Sequence, residues 1–86
     1  MSLSYPTIYK RIKAHLANAA GLNPRDIFAP DEIRKPPLGL TEQRVRDLAP
    51  KLNTIFSDCG LNVTRAQCAA QKTVKDLADL VRGEIT

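Results

Sequence analysis

One histidine and two cysteines are the residues of this 86-residue chain best suited to nucleophilic or metal chemistry. A structural zinc site takes four ligands, usually cysteines and histidines at short spacings. Cys59 and Cys68 stand nine positions apart, no Cys-x-x-Cys occurs, and His15 is the only imidazole. No metal site is therefore expected, and the two thiols are read as reduced, with Cys68 partly buried. Catalysis by His15 would need a nucleophile or acid beside it, and no Ser/His/Asp or Cys/His set is assignable. Its place at the edge of an apolar stripe suits packing. The four glycines are isolated, so there is no phosphate-cradling loop. No catalytic residues are expected, and the chain is not read as an enzyme.

What remains is a charged cluster in mid-chain: Leu40, Glu42, Gln43, Arg44, Arg46, Asp47 and Lys51, preceded by Thr41. Thr41 has the chemistry of a helix N-cap, and Glu42 in the first turn complements the helix dipole. Arg44, Asp47 and Lys51 lie at helical spacings, so they could pair with one another as a solvated face. Alternatively, the cluster is a surface for a partner.

Four helices must position these residues. Tyr5, Ile8, Ile12, Leu16 and Ala19 share one face of a helix from about Tyr5 to Ala20, with Lys10 and Lys13 pointing away. Ser4 can cap it, Pro6 is tolerated in its first turn, and Gly21 suits a left-handed end. Residues 22–40 hold Pro24, Pro30, Pro36 and Pro37, which favour extended geometry, so this stretch reads as a long structured loop. Leu22, Ile27, Phe28 and Ile33 are its expected anchors. Thr41 then opens a second long helix in which Val45, Leu48, Ala49, Leu52, Ile55 and Phe56 form one stripe. Pro50 falls opposite that stripe, where it should bend the helix without ending it. After Asp58-Cys59-Gly60, Leu61 and Val63 are anchors, and Thr64 caps a short helix of roughly Arg65 to Ala70. Thr73 caps the last one, with Val74, Leu77, Ala78, Val81 and Ile85 aligned. No segment alternates with period two, so a sheet is not expected.

Leu38-Gly39-Leu40-Thr41-Glu42-Gln43, with Leu48, Leu52 and Phe56 downstream, resembles the acyl and peptidyl carrier proteins, whose hallmark is Leu-Gly-x-Asp-Ser-Leu. The ending Thr73-Val74-Lys75-Asp76-Leu77-Ala78-Asp79-Leu80-Val81 is similar to the family's last helix, and Gly21-Leu22 with Ile27 to its turn after helix one. The likeness runs from about Ile8 to Ile85. It implies an all-α, acyl-carrier-protein-like four-helix bundle, three helices long and one short, in a single domain over residues 1–86. In that family a serine at the start of helix two bears a 4′-phosphopantetheine arm. Here its position is Glu42, Thr41 stands for the preceding Asp, and Gln43 for the following Leu. A glutamate offers no hydroxyl, so the expected cofactor is none. Family helix two is usually acidic; this one carries Arg44, Arg46 and Lys51, which puts docking onto the usual basic enzyme surfaces in doubt.

Composition narrows the rest. With 43% hydrophobic residues and 26% charged, the chain is globular in type, and with no Trp its core is mainly aliphatic. No apolar run is long enough to span a membrane. Met-Ser-Leu-Ser-Tyr-Pro at the start lacks a signal-peptide core, so a cytoplasmic location is expected. The net charge of +4 is spread along the chain, which argues against a basic arm for nucleic acid. The leading expectation is a monomeric, non-carrying adaptor or regulator that meets an acidic surface of a protein partner, such as a biosynthetic enzyme, through helix two. The rivals are a genuine carrier of fatty-acid, polyketide or peptide assembly with an unconventional attachment site, and a small basic nucleic-acid-binding domain.

Overall fold

Ile8, Ile12 and Leu16 recur one helical turn apart, and with Ala17 they form the buried face of α1, Tyr5–Ala20, in the computed structural model, which describes residues 3–85. Met1 and Ser2, part of the leader reading, lie outside the described residues. Ser4 stands at the expected N-cap, but its hydroxyl meets that of Thr7 at 2.9 Å instead of a backbone N–H. Gly21 closes the helix at φ 70°, and its N–H donates to the Ala17 carbonyl, as a left-handed end requires. Tyr5 and Ala19 sit at the margin of the buried face, half-covered. Lys13 does not point away as expected. It is half-buried, its ammonium 5.2 Å from the Tyr9 ring centre, because a long apolar stem gains more by lying along a ring than by standing free.

After a short 3-10 turn, Pro24–Asp26, the loop plugs Ile27, Ile33 and Leu38 into the core. Phe28 departs from expectation: it is 60% exposed, since its own N–H is turned to the Asp31 carboxylate and its flanks are fixed by Ile27 and the loop's backbone pairing. That pairing is to the start of the last helix. Ile33 donates to the Lys72 carbonyl at 3.0 Å, Val74 to that of Asp31 at 3.0 Å, and Lys75 to that of Ala29 at 2.9 Å. A lone antiparallel bridge, Glu32 with Thr73, marks the contact, and no strand occurs among the described residues.

Thr41 caps as expected, its hydroxyl oxygen accepting the Arg44 N–H at 3.3 Å. The long second helix does not stay whole. It is two segments, α2 at Glu42–Arg46 and α3 at Leu48–Ile55, broken at Asp47. The cause is Pro50. In an unbroken helix its ring would press on the Arg46 carbonyl and leave it without a donor. Restarting the helix at Leu48 puts Pro50 in a first turn, where no N–H is needed. Gly60, at φ 70°, ends the 3-10 turn Ser57–Cys59.

Thr64 and Gln67 form a reciprocal capping box on the short α4, Arg65–Ala69. Thr73 and Asp76 do the same for α5, Val74–Ile85, with Asp76 N–H to Thr73 Oγ1 at 3.1 Å and Thr73 N–H to Asp76 Oδ2 at 3.2 Å. The α1 helix packs along α5, and α4 covers α2 and α3. Their apolar faces meet in one cluster around Phe56, Leu52 and Leu77, all fully buried. The result is a compact, mostly helical domain. No helix among the described residues is long and apolar enough to cross a membrane.

Candidate interaction site

The mid-chain cluster divides between two sides of α2. On one, the Glu42 carboxylate accepts a hydrogen bond from Arg34 Nε at 2.7 Å and lies 3.7 Å from Arg46 Nε. The same Arg34 reaches the carbonyls of Gln71 at 2.8 Å and Ala69 at 2.6 Å through its two terminal nitrogens. Its planar fork thus satisfies the open end of α4 and the first turn of α2 together, a geometry an ammonium lacks. The Arg34 hydrogen bond, with the nearby charges of Arg34 and Arg46, holds the Glu42 carboxyl below the usual carboxylate range. Sequence reasoning missed Arg34. Two of its three partners, the Ala69 and Gln71 carbonyls, are more than thirty positions away, and nothing local marks them.

On the other side, Leu40, Arg44, Asp47 and Lys51 meet His15 and Ala19 of α1 and Leu48 of α3 around a hollow of about 250 Å³. Leu40 and Leu48, 4% and 3% exposed, lie at its floor. Arg44 and Lys51 stand exposed at its rim. Among the described residues the one bond Arg44 makes through its side chain is Nη1 to the Ala19 carbonyl at 3.5 Å, and Lys51 makes no ion pair. The expected pairing of Arg44, Asp47 and Lys51 does not form. Asp47 instead accepts from Gln43 Nε2 at 3.0 Å and faces Arg65 Nε at 3.7 Å, because the break in the helix turns it toward α4. Burial, then the charge of Lys51, push the His15 pKa below its ordinary 6.5.

The seven residues expected to bind a partner divide among three sets of contacts. Leu40, Arg44, Asp47 and Lys51 share the hollow, Glu42 and Arg46 belong to the Arg34 cluster, and Gln43 steadies Asp47. His15, Ala19 and Leu48 join the hollow. The sequence placed them on apolar stripes but could not show that α1 and α3 converge there.

Elsewhere, polar side chains fasten the frame. Arg11 chelates Asp58 at 3.0 and 3.2 Å while its guanidinium lies 5.3 Å from the Phe56 ring centre. Asn53 holds Val63 by both its backbone groups, at 2.9 and 3.0 Å, orienting the entry to α4. Cys68 is fully buried, beyond the partial burial expected, and burial pushes its thiol pKa up; Cys59 is half-buried. Both thiols are free, and among the described residues no three His, Cys, Asp or Glu are grouped to hold a metal. Comparison with protein-family models, curated proteins and solved structures gave no match.

Proposed function

We propose that this chain is an acyl-carrier-protein-like helical module without the phosphopantetheine serine, and that it acts by docking onto a protein partner. The observation that carries the reading is the start of α2. Where the resemblance expects a serine hydroxyl, Glu42 presents a carboxylate already engaged by Arg34. The neighbouring hydroxyl, on Thr41, accepts the Arg44 amide as the helix cap. Transfer of the arm requires a hydroxyl oxygen free to attack a phosphate. Neither residue suits that step. Arg44 and Lys51, cations without a carboxylate partner among the described residues, favour an acidic partner surface, which a monomer would meet on its own.

Intact-mass measurement after incubation with coenzyme A and a broad-specificity phosphopantetheinyl transferase tests the reading. The expected result is no mass gain. A near-stoichiometric adduct at Thr41 or elsewhere would establish a genuine carrier. Glu42→Ser restores the nucleophile, and its modification is expected to be slow, because Arg44 and Arg46 replace the acids that transferases of this kind meet.

A further inference from the structure

The hollow between α1 and the α2–α3 break has three properties that together define an occupant. Its floor is apolar and recessed, with Leu40 and Leu48 almost wholly covered. Its rim carries Arg44 and Lys51, neither held by a carboxylate among the described residues, and His15 beside them. Its single acid, Asp47, is already engaged with Gln43 and Arg65. At about 250 Å³ it is smaller than the roughly 300–1,000 Å³ of small-molecule sites, yet large enough for one protruding side chain. A membrane surface is a poor match, since a bilayer is entered by exposed apolar groups and these leucines lie below the rim.

Resting on the docking role above, we infer that this hollow is the partner's point of entry, and that it takes a protein segment presenting one aliphatic or aromatic side chain flanked by Asp or Glu. The apolar anchor fills the floor between Ala19, Leu40 and Leu48. Its flanking carboxylates meet Arg44 and Lys51, which stand on opposite sides of the Asp47 break. Interfaces take most of their energy from such a central anchor, and the surrounding charges set partner choice and encounter rate. Arg46 plays no part, being on the Glu42 side of α2.

The test is panning of a random phage-displayed peptide library against the full chain. Recovered sequences should carry one Leu, Ile, Phe or Met between acidic residues. Synthetic copies should bind more weakly as salt rises. Arg44→Glu with Lys51→Glu should lower their affinity about tenfold or more, the scale of a lost anchor. Ala19→Leu, which fills the hollow without changing charge, should do the same, and Arg46→Glu should not. Circular dichroism checks that each variant is folded; should the charge reversal fail there, Arg44→Gln with Lys51→Gln replaces it. Three results overturn the inference: no acidic peptide recovered, recovered peptides indifferent to both the charge and the filling variants, or phosphatidylserine vesicles bound with the same variant dependence. Failure here leaves the mass measurement untouched. Conversely, a phosphopantetheine adduct on protein that still captures acidic peptides would sink only the non-carrying role.

Discussion

His15 and Arg34 show what single residues can and cannot disclose. His15 was legible as a residue of the α1 seam, because its position relative to Ile8, Ile12 and Leu16 is fixed by helical periodicity. That it faces Lys51 across a hollow depends on a second helix, which no local pattern encodes. Its folded-state pKa lies below the ordinary value of 6.5, so on acidification the unfolded chain takes up the proton first. Stability is full above that value and is lost as pH falls through the folded-state pKa. Melting temperatures from pH 8 to pH 5 should fall for the parent protein, and the fall should be flatter for His15→Gln. The carboxyls of Glu42 and Asp58, held low chiefly by hydrogen bonds from Arg34 and Arg11, lose their contribution only in more acid solution, so the two effects separate. Arg34 gave no sign of its role. A lone arginine between prolines looks like a solvated charge until α4 is folded beneath it.

Helical elements were read best where both ends carried local signals. The bounds of α1 follow from Pro6 and Gly21, and the start of α5 from Thr73. Pro50 was the failure. Its chemistry admits either a bend or a restart, and the choice depends on how α2 and α3 each pack against α4, which lies beyond local sequence. Pro50→Ala should let α2 and α3 merge, raising helicity by circular dichroism as the Arg46 carbonyl gains a donor. Net stability should shift by no more than about 1 kcal/mol. The new hydrogen bond contributes about 0.5–1.5 kcal/mol, and the unfolded chain regains about 0.4–1 kcal/mol of entropy that proline had removed. A merged helix also swings Lys51 relative to Arg44, so acidic-peptide binding should weaken although no charge is lost.

At the scale of the whole molecule, one aliphatic core holds every segment, and its membership was largely visible as stripes of Leu, Ile and Val. The exception is Phe28, where hydrophobicity suggested an anchor and the loop's backbone pairing turned the ring outward. Leu52 sits fully buried in that core. Leu52→Ala should cost about 2–5 kcal/mol, a large part of the roughly 5–15 kcal/mol typical of a domain. Lys13→Ala should cost no more than about 1 kcal/mol, the value of a surface cation resting on a ring. Urea denaturation of both variants compares them; similar losses would mean that the core is assigned wrongly.

The pairing of residues 29–33 with the start of α5 also governs how the chain meets a protease. Trypsin must draw an arginine or lysine into its own pocket and straighten the peptide around it. Arg34 is committed to three acceptors, and Ile33 beside it is tied by its amide to Lys72. Lys35 is followed by Pro36, a bond trypsin declines to cut. A proline-rich segment that looks like an open hinge should therefore come through native digestion unbroken at Arg34. It should be nicked there only when the whole domain opens, as in urea. Arg25, exposed in its short turn, is where the first cut in this segment should fall.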